Sequence, residues 1–284
     1  MTLSVALVYP DLLGTYGDGG NATVLAQRLR WRGFEADVVT VPSSAPLPTS
    51  CEFYVIGGGE DQPQTAAASL LAAGGGLGKA VSGGAVVLAV CAGLQVLGQT
   101  FEGSDGKPRP GLGLLDCATS RSVQARAVGE ILVQAGADWG SGLGTLSGFE
   151  NHQGHTEVGK GSRPVGRVLR GVGNYVSGDE GAVTGRVWGT YMHGPVLARN
   201  PALADLLISW VVGPLAALDD RCPQALHDER ARAALQEPVG ARPSGGARGA
   251  RATVDRLWGY WRHGQAGQRP VPDAHGRGDR PGRA

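Results

Sequence analysis

The chain is poor in the features that assign a protein quickly. Its four cysteines, Cys51, Cys91, Cys117 and Cys222, show no C-x-x-C spacing and no adjacent histidine pair, which excludes a disulfide framework and a zinc site. No apolar run reaches the roughly 18 residues of a membrane-spanning helix. The opening "MTLSVALVYPDLLG" has no basic leader, so it reads as a first strand rather than a signal peptide, and the expected location is the cytoplasm. There is no H-E-x-x-H, and no G-x-G-x-x-G follows the first apolar run. "GTYGDGGN" lacks the Gly-Lys-Ser/Thr of a phosphate loop. Metal, dinucleotide and P-loop chemistry therefore have no motif to stand on.

The 284 residues suffice for one large domain with a tail. Net charge is +1, but residues 238–284 hold nine arginines against three acids, while 1–237 hold 17 basic and 22 acidic residues. The basic segment is rich in Arg, Gly and Pro and lacks periodicity. It reads as a disordered, dispensable tail, within which "VDRLWGYWRH" is the one stretch suited to transient docking. Nothing else suggests nucleic-acid binding.

In residues 1–237 apolar runs alternate with helical segments. Strands are expected at 3–10, 34–41, 51–61 and 84–90. Helices are expected at 22–33, with Arg28, Arg30 and Arg32 facing water, and at 64–82. This is the pattern of a mostly parallel sheet with helices on both faces. After about residue 112 short glycine-punctuated runs such as "AVGEILVQ" and "GTLSGFENH" predict added antiparallel strands. A helix follows at 200–213, with Asn200 as N-cap and Pro201 at its first position, and a short one at 224–236.

One cysteine stands in an unusual context. In "AVVLAVCAGLQVLG" (85–98) Cys91 ends an apolar run just before a helix. A cysteine there is commonly a small buried hydrophobe. However, Ala89 and Gly93 bracket it at the spacing of a nucleophile elbow, whose sharp turn admits only small neighbours. The following helix start aims N–H groups and its positive dipole end at the sulfur, which favours a thiolate and an oxyanion. A nucleophile needs a base. Of the six histidines, His193 in "VWGTYMHGPVL" follows an apolar strand, at the sheet edge where open α/β proteins place their sites; His152 and His155 fall in a loop. The glycines Gly57, Gly58 and Gly59 of "VIGGGED" let the backbone approach a ligand and turn N–H groups toward it.

These stretches, together with "YPDLLGTYGDGGNATVLAQRLRWRG", "GLGLLD", "GFENHQGHT" and "GTYMHGPVLARNPALADLL", resemble the class I (triad-type) glutamine amidotransferases. Within them the CobB/CobQ-like branch fits best, and within that the GatD-type glutaminase subunits of lipid II isoglutaminyl synthase, over residues 3–236. The resemblance implies a Rossmann-like class I amidotransferase fold for 1–237. It implies Cys91 as nucleophile, His193 as general base, and Ala92 with Gly57–Gly59 as oxyanion donors. Arg126 is implied as the substrate-binding arginine, with Arg121 as its rival; a guanidinium suits an α-carboxylate.

Many relatives carry a glutamate two residues after the histidine, whereas Pro195 stands there. The implied alternatives are a Cys–His dyad, Glu150 or Asp18 as the acid, or a carboxylate from a partner, which would leave the isolated subunit with low activity. The resemblance further implies a MurT-like Mur ligase partner forming a heterodimer and a product ammonia used to amidate the D-glutamate of lipid II. It implies no cofactor in this chain; ATP and magnesium are expected on the ligase. The other readings are a glutaminase for cobyrinic acid amidation, a DJ-1-like cysteine hydrolase and a non-catalytic α/β scaffold. Since cobyrinic amidases carry a synthetase domain ahead of the amidotransferase, a chain opening directly on the latter favours a separate partner.

Overall fold

The computed structural model describes residues 2–236 other than Ser141 and Val176; the 238–284 tail lies outside the described residues. The first half runs β1 (Leu3–Val8), α1 (Gly20–Trp31), β2 (Ala36–Val41), β3 (Phe53–Ile56), α2 (Asp61–Gly74), α3 (Gly76–Ser82), β4 (Val86–Val90), α4 (Ala92–Leu97) and β5 (Thr100–Glu102). The second continues through β6 (Pro108–Pro110), β7 (Cys117–Arg121), β8 (Ala127–Ala135), β9 (Thr145–His152), β10 (Gly154–Val158) and β11 (Gly166–Arg170). It closes with β12 (Asp179–Glu180), β13 (Ala182–Thr184), β14 (Val187–Thr190), α5 (Val196–Arg199), α6 (Pro201–Val212) and α7 (Arg221–Gln236).

The core is a six-stranded sheet in the order β13-β14-β4-β3-β1-β2, parallel except for β13. Every residue of β3, β4 and β14 is buried, which is why these segments read as unbroken apolar runs: a parallel sheet covered on both faces leaves no polar side. Val8, Ile56, Ala89 and Gly189 pair in one row across β1, β3, β4 and β14. The loops that leave these four strands therefore start at nearly one level, at the carboxyl edge of the sheet, where ligands of such folds bind.

Of the strands in the second half, only β13 and β14 join the central sheet. The others, together with β5, form two separate four-stranded sheets, β10-β7-β5-β6 and β12-β11-β8-β9. Because β13 occupies the free edge of β14, the remaining short strands pair with one another. The segment expected as one helix at 64–82 is two, broken at Gly75, whose φ of 58° is left-handed.

Two expectations about polar residues are corrected. Arg28 does not face water. It is buried and makes paired bonds of 2.7 Å to both Asp205 and Asp220, tying α1 to α6 and to the turn before α7. The Arg32 side chain is buried too and bonds Asp205, leaving Arg30 as the half-exposed one of the three. Asn200 holds the N-cap position of α6, but its side chain makes no capping bond. Its Oδ1 instead accepts from Ser147 N and its Nδ2 donates to Ser147 O, stapling the helix to β9.

Candidate active site

Cys91 occupies a sharp strand-to-helix turn. Its φ of 53° and ψ of −105° lie where side-chain-bearing residues are rare. Two backbone bonds hold it there: its N–H donates to Thr190 O at 2.8 Å, and its carbonyl accepts from Gln95 N–H at 3.1 Å to begin α4. The turn is crowded. A Cβ at Gly93 would lie 2.9 Å from Ile56 O, and one at Gly189 would lie 2.8 Å from Leu115 Cδ1. This is the small-neighbour requirement that the spacing around Cys91 suggested.

His193 follows β14, and β9 fixes its backbone: His193 and Phe149 exchange N–H···O bonds of 2.8 and 3.1 Å. Its Nδ1 donates to Asp18, 2.9 Å from Oδ2, with both side chains buried. The Tyr16 ring packs on the imidazole with centroids 4.7 Å apart, and the Tyr16 hydroxyl donates to Glu60. Because Nδ1 carries the proton given to Asp18, Nε2 is left as the reactive nitrogen; it is buried and makes no hydrogen bond. Burial opposes the charged ring, but Asp18 and the nearby Cys91 sulfur override it and push the His193 pKa up to about 10. The raised pKa favours the imidazolium, and an imidazolium beside the sulfur is able to stabilise a thiolate and hand a proton to a leaving group.

Cys91 opens on a cavity of about 280 Å³. Gly59 and Ala92 share its wall with Cys91, Gln64 and Gln95 form a polar side, and Arg121 and Arg126 stand in the wall as well. Gln64 Nε2 donates to Gln95 Oε1 at 2.8 Å, and Gln95 Nε2 donates to the Tyr191 hydroxyl at 3.2 Å. Arg126 is held by Asn151; Arg121 bonds Gln153 and lies 3.9 Å from Asp61.

The site therefore gathers Cys91, Ala92, His193, Asp18, Gly59 and both arginines, and leaves some expected residues elsewhere. Glu150 does not reach His193: it accepts from Val172 N and Gly173 N, with His152 Nε2 3.5 Å away. From its position on β9 it turns toward the segment that follows β11 rather than toward His193. Gly58 is no oxyanion donor either. Its N–H is committed to Asp18 Oδ2 at 2.9 Å, and a Cβ there would meet His193 Cε1 at 2.7 Å. Gly57 does not line the cavity; its α-carbon packs under Leu13 O. Among the three glycines, Gly59 alone borders the cavity.

Sequence reasoning assigned no role to several residues at the site. His152 is on β9, not in a loop, and stacks on Tyr191 with centroids 3.7 Å apart; burial lowers its pKa. Tyr16 and Asn151 sit in stretches quoted for other reasons, and only the recurrence of polar residues in "FENHQ" hinted that this strand serves a site. Among the described residues no group of three His, Cys, Asp or Glu side chains is arranged to hold a metal.

Residues 4–201 match the model of the CobB/CobQ-like glutamine amidotransferase domain. The chain is 34% identical to the lipid II isoglutaminyl synthase (glutamine-hydrolyzing) subunit GatD of Streptococcus pneumoniae, across 73% of this chain and 79% of that one. It is also 34% identical to the corresponding subunit of Staphylococcus aureus, across 70% and 79%. A cobyric acid synthase of Pelotomaculum thermopropionicum is 32% identical, across 65% of this chain but 34% of its own. Among solved structures the fold is similar to a glutamine amidotransferase from Thermotoga maritima, at a TM-score of 0.47 and 14% identity over 90% of this chain and 96% of that one. With a family match spanning most of the chain and a cysteine elbow facing a buried histidine, this protein belongs to the CobB/CobQ-like glutamine amidotransferase family.

Proposed function

We propose that this chain is the glutamine-hydrolysing subunit of a lipid II isoglutaminyl synthase. The observation that carries this reading is the similarity to two such subunits along about four-fifths of their length; the cobyric acid synthase match spans only a third of that protein.

In this reading the Cys91 thiolate, paired with the His193 imidazolium, attacks the side-chain amide carbon of L-glutamine. The Gly59 and Ala92 N–H groups receive the tetrahedral oxyanion. His193 Nε2 gives its proton to the departing ammonia, leaving a γ-glutamyl thioester. Water then attacks the thioester, giving its proton to His193 and releasing glutamate. Asp18 is the acid behind His193, and Arg126 binds the substrate α-carboxylate. Ammonia passes to a Mur-ligase-like partner of the MurT type, which holds ATP and magnesium and amidates the D-glutamate α-carboxylate of lipid II to D-isoglutamine.

The test is co-purification with a Mur-ligase-like protein, followed by ATP- and glutamine-dependent amidation of lipid II. Glutaminase activity is assayed as ammonia release by the complex, with Cys91→Ala as control. Equal ammonia release by wild type and Cys91→Ala overturns the nucleophile assignment. Ammonia release without lipid II amidation overturns the acceptor assignment alone and turns attention to cobyrinic acid.

A further inference from the structure

Asn151 lies on β9, between the Phe149 that holds His193 and the cavity-wall residue His152. Its Oδ1 accepts from Arg126 Nε at 2.7 Å, and its backbone carbonyl accepts from Arg126 Nη2 at 3.1 Å. Attachment at two points to one residue fixes the guanidinium plane. Three of its five N–H groups, two on Nη1 and one on Nη2, stay free on the end of the fork. Both acceptors are uncharged, so they orient the cation without neutralising it, and among the described residues no carboxylate forms an ion pair with Arg126. Arg121 differs: it is held by Gln153 at 3.1 Å and has Asp61 at 3.9 Å. Of the two arginines in the cavity wall, Arg126 is the one that is both oriented and uncompensated.

The same strand fixes the other end of the reaction. Phe149, two residues before Asn151, exchanges both backbone bonds with His193. Two residues of a strand span about 6.6 Å. One rigid element thus sets the distance between the cation and the base.

We propose that Asn151 is a positioning residue that presents Arg126 end-on to the α-carboxylate, so that carboxylate recognition depends on Asn151 as much as on the arginine. The proposal rests on the reading of Arg126 given above. Its effect falls on substrate affinity and on discrimination by the carboxylate, not on the chemical step.

The experiment measures ammonia release by the complex with two substrates, L-glutamine and L-glutamine α-N-methylamide, which lacks the carboxylate but keeps the γ-amide. Asn151→Ala is expected to raise the glutamine KM about tenfold, the scale of a lost charge-assisted hydrogen bond, with kcat within about twofold. The wild-type preference for glutamine over the methylamide falls by a similar factor. Asn151→Asp keeps the shape but neutralises the guanidinium, so it is expected to raise KM further; it carries the test if Asn151→Ala is poorly folded. An unchanged KM in both variants, alongside a raised KM in Arg126→Ala, overturns the role of Asn151 while leaving the arginine reading intact. A proportional loss on both substrates, carried by kcat, also overturns it, because that is the signature of general disruption of β9. An unchanged KM in Arg126→Ala overturns the arginine reading and this proposal with it.

Discussion

Asp18 and His193, 175 residues apart in the chain, meet at 2.9 Å with both side chains buried. The carboxylate does two things for the ring: it fixes the tautomer that frees Nε2, and it supports the positive charge that burial opposes. Asp18→Asn keeps the shape and removes the charge. The expected loss is roughly 10³–10⁴-fold in kcat with a small change in KM, the scale seen when the acid behind a catalytic histidine is neutralised. The sign for stability follows from the raised pKa. The folded ring keeps its proton up to about pH 10, whereas an unperturbed one releases it at 6.5. Its contribution is therefore whole below pH 6.5 and is lost as pH rises through about 10. Melting curves between pH 6.5 and 10 should fall more steeply for wild type than for Asp18→Asn. A kcat within threefold of wild type would remove Asp18 from the mechanism.

Glu180 on β12 is fully buried, accepting from the Thr190 hydroxyl at 2.8 Å and from Tyr191 N. Its second oxygen has no partner. Burial pushes its pKa from 4.5 up to about 7, against the two hydrogen bonds that favour the carboxylate. The folded state thus binds this proton more tightly than the unfolded chain. The associated stability is complete below pH 4.5 and disappears as pH rises through about 7. Glu180→Gln cannot ionise and should flatten the fall in Tm across that window. An identical Tm–pH slope in wild type and variant between pH 4.5 and 7 would count against it.

Arg28 holds Asp205 and Asp220 together from inside the protein. Removing it leaves two partly buried carboxylates facing each other without their shared cation. Arg28→Met is expected to lower unfolding free energy by about 3 kcal/mol, toward the lower end for a broken buried ion pair because both aspartates keep some solvent contact. Urea denaturation measures this directly. Asp220→Asn, which leaves the Asp205 pairing intact, should cost markedly less.

The sheet was legible because its strands are buried on both faces and therefore uniform in composition; β3, β4 and β14 needed no partner to be found. Cys91 was legible because an elbow constrains its neighbours in sequence as well as in space. His193 followed from its place after a strand. Asp18 was only one of several candidates, since a hydrogen bond across 175 residues leaves no local pattern. Gly58 misled for a related reason: a glycine run shows that the backbone comes close to something, not what each N–H will meet. The second half was harder still. Most of its strands run to five residues or fewer, and in β9 the adjacent Asn151 and His152 both border the cavity while Glu150 turns away from it, which hides the period of a strand. Arg28 was misplaced because a charge on an amphipathic helix is ordinarily solvated, and only the distant Asp205 and Asp220 make its burial tolerable.

The row Val8–Ile56–Ala89–Gly189 carries a consequence for synthesis. Cys91 follows the third strand of that row, Asp18 lies in the loop after the first, and His193 in the loop after the last. A growing chain therefore displays its cysteine well before residue 193 exists. Pairings of such long sequence separation are slow to form, and Cys91 meets His193 only once β14 has docked beside β4. Until that moment Cys91 stands without His193 beside it, and the site is complete only when the sheet is.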